Sequence, residues 1–283
     1  MPRADEIRAR QRATWAGLSP SWDKWDDVIM AQLAPVGDAI IDRLGITDTS
    51  HHLDIASGTG EPGLSIARGA PRGHVVLTDL VPEMLDIAMR RASAEGIANV
   101  EARVCSADAL PFPDATFDSI SARFGYMFFP DEAMATAEFV RVLKPGGRLC
   151  ASVWVLPDAN PWVTIGTGAI ATEVVVAPPD PAAPHMFRFA APGCISAVYA
   201  GAGLHDIAEW DVAVHLVARS PEQYWEMISD HVSTVAVALQ DVDDAARDRI
   251  RSRALAEVGR FQQGDSVSVP GVARCIVGTK PVG

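Results

Sequence analysis

Leu53-Asp54-Ile55-Ala56-Ser57-Gly58-Thr59-Gly60-Glu61-Pro62-Gly63 is an apolar strand running into an acid and a glycine turn, the pattern that sets a nucleoside cofactor against a strand end. Gly58, Gly60 and Gly63 match the Gly-x-Gly-x-x-Gly spacing of dinucleotide sites, and Asp79 falls near the ~20-residue offset of a ribose-binding acid. Asp54 weighs against a dinucleotide. Its carboxylate, four residues before Gly58, stands at the strand end near an anionic pyrophosphate, where like charges repel. A cofactor with no phosphate and a cationic head makes the same acid favourable. Gly63 then reads as an incidental helix-start residue after Pro62.

S-adenosyl-L-methionine (SAM) has that character, with a sulfonium, an ammonium and no phosphate. Two later acids extend the pattern. Asp79 closes the apolar run His74-Val75-Val76-Leu77-Thr78, where it either accepts both ribose hydroxyls or caps the helix that Pro82 opens. Asp108 follows the next strand in Ser106-Ala107-Asp108-Ala109-Leu110-Pro111-Phe112-Pro113-Asp114. It either meets an adenine edge or is an ordinary loop acid.

A chain of 283 residues with 48% hydrophobic residues buries a substantial core and suits one large α/β domain with an elaboration. Its formal charge of -12 argues against binding nucleic acid or an anionic membrane, since phosphate neutralisation needs clustered Lys and Arg. Cys105, Cys150, Cys194 and Cys275 form no C-x-x-C pair, which points to neither a zinc knuckle nor a disulfide framework. His51 and His52 are adjacent, so on a strand they face opposite ways and form no metal pair. The amino terminus, Met1-Pro2-Arg3-Ala4-Asp5-Glu6, is charged and has no apolar signal core. A soluble, cytoplasmic protein is expected.

Apolar runs near 51–56, 74–79, 100–105, 117–122 and 147–155 alternate with helical stretches near 61–69, 82–95 and 131–143. That alternation predicts a Rossmann-like, doubly wound, seven-stranded, mostly parallel sheet with an antiparallel edge strand. Two helices precede it, over 3–18 and 23–44, separated by a turn at Leu18-Ser19-Pro20-Ser21-Trp22. Lys144-Pro145-Gly146-Gly147 stops a helix before the next strand. The expected divisions are an amino-terminal helical segment 1–44, a core 45–156, a proline-rich connection 157–205, and edge strands 206–283 with a helical insertion 221–261. A final strand near 271–279 pairs antiparallel with 206–217.

The glycine motif at 53–63, Asp79, the segment Leu110–Asp118 and Leu143-Lys144-Pro145-Gly146-Gly147-Arg148-Leu149 together resemble class I SAM-dependent methyltransferases. The likeness covers about 45–155 and lies in the broad group that includes the ubiquinone/menaquinone C-methyltransferases. It implies that Asp54, Ala56, Ser57, Gly58, Thr59 and Gly60 wrap the methionine and ribose part of SAM. Asp79 would bind the ribose, Leu80 and Met84 would lie by the adenine, and Ala107, Asp108 and Ala109 would flank that ring. Arg123 falls near the methionine moiety, where the quinone enzymes often carry a small polar residue. Gly125-Tyr126-Met127-Phe128-Phe129 also departs from the more polar segment associated with quinone methylation, which turns the expectation away from a quinone. Similar enzymes close an amino-terminal helical lid over the cofactor. Here Trp22 would face the sulfonium with cation-π attraction, or simply pack the helix.

The resemblance predicts a SAM-dependent methyltransferase of specialised metabolism, a monomer or homodimer acting on a small, partly apolar O-, N- or C-acceptor. His231, on the same side of its helix as Tyr224, is the candidate base. Tyr126, Met127, Trp154, Met186 and Tyr224 are the candidate acceptor contacts, though such residues also build cores. The rival readings are an NAD-dependent oxidoreductase and a non-catalytic, partner-binding relative.

Overall fold

The computed structural model describes residues 4–175, 183–240 and 242–282. Pro178, Pro179 and Pro181 of the expected connection and residues 1–3 of the amino-terminal segment lie outside the described residues. Two helices open the chain, α1 (Ala4–Lys24) and α2 (Asp26–Leu44), the latter ended by Gly45 in the left-handed conformation at φ 69°. The alternating part follows as β1 (His51–Ile55), α3 (Gly63–Gly69), β2 (His74–Asp79), α4 (Pro82–Ala94), β3 (Val100–Val104), β4 (Phe117–Arg123), α5 (Glu132–Val142) and β5 (Leu143–Trp154). Beyond it come α6 (Pro161–Ile170), α7 (Cys194–Gly201), β6 (His205–Ala218), α8 (Pro221–His231), α9 (Ser233–Ala238) and α10 (Asp244–Val258). The two-residue β7 (Gln262–Gln263) and β8 (Ser266–Thr279) end the order.

The sheet runs β3-β2-β1-β4-β5-β8-β6, with β7 paired to β8 off that path. β1 to β5 are parallel, and β8 lies antiparallel between β5 and β6. The final strand therefore pairs with 205–218 as expected, and also with β5, so that β6 forms the outer edge. Strand order reverses at β1 and β4, which opens a crevice at their carboxyl ends where open α/β sheets bind ligands. β1 and β2 are buried along nearly their whole length, as helices on both faces require.

Three local expectations are corrected. The first two helices do not break at Pro20: α1 continues to Lys24, because Ser19 Oγ donates to the Ala16 carbonyl at 2.9 Å, the acceptor that a proline N–H cannot reach. β5 begins at Leu143, so Lys144-Pro145-Gly146-Gly147 belongs to the strand. The helix expected over 221–240 is divided at Val232, whose backbone is extended.

Candidate functional site

The glycine turn is tied to the sheet at both ends. Ser57 N–H donates to Thr78 O at 2.9 Å, Gly58 N–H to Asp79 Oδ2 at 3.0 Å, and Gly63 N–H to Asp54 Oδ2 at 3.0 Å. Between them the backbone takes positive φ at Ala56 (52°), Gly58 (54°) and Gly60 (111°), conformations that cost little only at glycine. Gly63 is not incidental. A Cβ there would stand 2.3 Å from Leu77 Cδ2 and 2.9 Å from Asp54 Oδ2, so only glycine lets α3 start this close to the carboxylate.

A cleft lies over this turn, holding about 1160 Å³ of empty space including its mouth. Of the residues expected to hold the cofactor, Ala56, Ser57, Gly58, Thr59, Asp79, Leu80, Met84, Ala107, Asp108, Arg123 and Trp22 line it. Asp54, Gly60 and Ala109 are not brought to its wall. Asp54 is fully buried beneath the turn, and burial pushes its carboxyl up to about 7 against the pull of the Ser121 hydroxyl. Gly60 packs on Leu64 and Ala88, and Ala109 is exposed outside the cleft.

Asp79 uses one oxygen for Gly58 N–H and the other for Val81 N–H, the latter at 2.9 Å, which leaves a lone pair on each for a ligand. Burial raises its carboxyl above the usual range. Asp108 accepts from Arg8 of α1 at 2.6 Å and from Ser106 Oγ at 2.5 Å. The Thr59 hydroxyl turns to Asp26 of α2 at 2.9 Å. Arg123 donates to the Met30 thioether at 3.2 Å and, among the described residues, makes no ion pair. Burial lowers its guanidinium while Glu61 and Asp54 favour its charge. Asp79 and Asp108 thus stand on one side of the cleft and the Arg123 guanidinium also lines it. Among the described residues no group of three or more His, Cys, Asp or Glu is arranged to hold a metal ion.

The other half of the cleft is apolar, and its wall was not the one expected. Trp15, Trp22, Phe124, Phe128, Phe129 and Met30 line it. Tyr126 and Met127 are turned inward by a 3-10 turn, Tyr126–Phe128, with the Tyr126 hydroxyl held by Thr136 at 2.9 Å. Trp154 lies behind the wall, stacked on Phe124 at 4.3 Å. The Tyr224 hydroxyl donates to Trp162 O at 3.0 Å in the core, and Met186 packs against that core. His231 is buried behind Trp22, edge-on at 5.9 Å. Its Nδ1–H donates to Met227 O at 2.6 Å, and burial lowers its pKa to about 4. Arg8, Gln11, Trp15 and Trp22 recur at helical spacing on one face of α1, a signal hidden when Pro20 is read as a break.

The model of the ubiE/COQ5 methyltransferase family matches residues 9–157, and the chain belongs to that family. SAM is the methyl donor of this family, which agrees with the acids and the guanidinium around the cleft. The chain is 48% identical over 99 residues to a demethylmenaquinone methyltransferase of Thermus thermophilus, a match covering 34% of this chain and 44% of that protein. It is 36% identical over 151 residues to the ubiquinone/menaquinone biosynthesis C-methyltransferase UbiE of Bordetella parapertussis, covering 53% and 58%. The chain spans about half the length of the curated relatives it matches. Among solved structures, YcgJ of Bacillus subtilis superposes with a TM-score of 0.55 at 23% identity, covering 87% of this chain and 98% of that one. That likeness shows the Rossmann-like methyltransferase fold. No helix among the described residues is long and apolar enough to cross a membrane.

Proposed function

We propose that the protein transfers the methyl group of SAM to a small, partly apolar acceptor in cytoplasmic, specialised metabolism. What supports this is one cleft whose nucleoside half, at Asp79 and Asp108, passes into an aromatic pocket formed by Trp15, Trp22, Phe124, Phe128 and Phe129. SAM supplies a methyl group already activated by its sulfonium. Asp79 accepts the ribose hydroxyls, Asp108 faces the adenine edge, and Arg123 takes the methionyl carboxylate in a charge-assisted pair. α1 acts as a lid pinned by Arg8–Asp108, and the indole of Trp22 faces the cationic centre. Excluding water and aligning the acceptor supply the rate.

Trp15, Trp22, Phe124, Phe128 and Phe129 carry no base, His231 sits behind Trp22, and of the lining carboxylates Glu61 holds Arg68 while Asp79 and Asp108 are assigned to the nucleoside. With none of these set aside as a base, an acceptor that sheds its proton to solvent or arrives ionised is favoured, an acidic phenol or enol. The names of the matched relatives favour a quinol ring, itself a phenol. Calorimetry with SAM, S-adenosylhomocysteine and NAD, followed by methyl transfer from labelled SAM to phenolic acceptors, tests the reading. Tight binding of NAD without SAM would overturn it in favour of the oxidoreductase, and SAM binding with no transfer to any acceptor would favour a partner-binding role.

A further inference from the structure

His52 occupies an inner position of β1 where a parallel strand covered on both faces takes an apolar residue, and it is fully buried. The parallel register sets His52 beside Ser119 and Asp54 beside Ser121, and strand alternation puts all four side chains on one face. His52 Nδ1 lies 2.8 Å from Ser119 Oγ and Nε2 lies 2.9 Å from Ser121 Oγ. Ser121 Oγ donates to Asp54 Oδ1 at 2.5 Å, and the other Asp54 oxygen holds Gly63 N–H. A hydroxyl has one proton. Because Ser121 commits its proton to Asp54, it accepts from His52, whose proton is therefore on Nε2 while Nδ1 accepts from Ser119. Every donor in the chain points towards the carboxylate.

We propose that His52 is a positioning residue for the cofactor: through Ser121 it keeps the Asp54 carboxylate ionised and in the rotamer that grips Gly63, and so fixes the turn 56–62 against which SAM lies. None of the four side chains lines the cleft. The turn needs an anchor at its far end, because its positive-φ residues relax if α3 drifts from the sheet. Its near end is anchored separately, by Thr78 Oγ1 donating to Asp54 O at 3.0 Å. The charged groups around Asp54 are Arg123 from β4, which favours its ionisation, and Glu61 from the turn, which opposes it. Burial holds the His52 ring neutral, so it acts as a donor and adds no charge.

The inference rests on SAM as the donor, and SAM binding by the wild-type protein checks that separately. The experiment is calorimetric SAM affinity from pH 6 to 9 for the wild type, His52→Leu, His52→Gln and Ser121→Ala, with circular dichroism confirming the fold of each. Ser121→Ala removes the donor to the buried carboxylate and weakens SAM binding about tenfold near neutral pH, and His52→Leu, which removes the proton that orients and polarises that donor, weakens it in the same direction by up to about tenfold. The loss shrinks as pH rises, because Asp54 without its donor holds its proton to higher pH. Gln retains a donor at the place of Nε2 and keeps affinity within about twofold. Folded Leu and Ala variants that bind like the wild type at every pH, or a Gln variant as weak as Leu, would overturn the proposal. Should His52→Leu not fold, His52→Gln and Ser121→Ala are compared: Gln near the wild type with Ala about tenfold weaker is the expected result, and Ala binding like the wild type, or Gln as weak as Ala, would overturn the proposal.

Discussion

Asp79 and Asp54 are both acids at strand ends, and their surroundings assign them different work. Asp79 is held by Gly58 and Val81 N–H groups and lines the cleft, so under the proposed ribose role replacing it removes two charge-assisted bonds. Asp79→Ala is expected to weaken SAM binding at least tenfold, since each such bond contributes roughly 1.5–3 kcal/mol; a folded variant of unchanged affinity in calorimetry would remove the ribose role. Asp54, four residues before Gly58 in sequence, is below the turn and bonded to Ser121 and Gly63. Spacing shows that an acid ends the strand, and Asp79 was legible on that basis. It does not show that the chain folds back over Asp54 tightly enough to exclude a Cβ at Gly63, which is why Asp54 was expected on the wall and Gly63 was expected to be incidental.

Among the elements, α1 decides what the apolar half of the cleft looks like. Its run through Pro20 depends on Ser19 satisfying the Ala16 carbonyl, and the reward is that Trp15 and Trp22 share a face, their rings 6.2 Å apart, with Trp15 edge-on to Phe128 at 5.1 Å. Ser19 is nearly buried, so Ser19→Ala leaves that carbonyl without a partner. The variant should lose about 0.5–1.5 kcal/mol of stability, with faster amide exchange confined to the part of α1 after Ala16; uniform exchange along α1 would show that the hydroxyl is not what carries the helix past the proline. The parallel strands were legible because each is a short apolar run beside a helical one. The 3-10 turn at Tyr126–Phe128 was not, since periodicity assumes 3.6 or 2 residues per repeat, and it sends Phe128 and Phe129 to the cleft where Tyr126 and Met127 were expected.

For the molecule as a whole, the cleft wall at Asp79 and Asp108 was readable because its residues follow successive strands, whereas the aromatic half is assembled from α1, α2 and the segment after β4, far apart in sequence. That assembly traps His231 between α8 and Trp22, nearly without solvent, and the consequence is a global dependence of stability on pH. Burial lowers its pKa from 6.5 to about 4, and lowers that of His52 to about 3. A neutral buried histidine contributes its full stability above the unfolded value of 6.5, and the contribution is lost as pH falls from there towards the folded value. Asp54, raised from 3.8 to about 7, works in the opposite direction: its contribution to stability is full below the unfolded value of 3.8 and is lost as pH rises from there through 7. Asp79 and Asp26 are raised as well and His51 and His185 lowered, so the slope is shared among many groups, but the His231 contribution is lost between about pH 6.5 and 4. His231→Phe keeps a ring against Trp22 and removes one titration, so its stability relative to the wild type should improve as pH falls across that window, by up to ~1.4 kcal/mol per pH unit. Urea unfolding at stepped pH reads this directly. Parallel curves for the two proteins from pH 6.5 to 4.5 would mean that His231 reaches solvent and titrates normally, in which case it returns as a candidate base behind the aromatic wall.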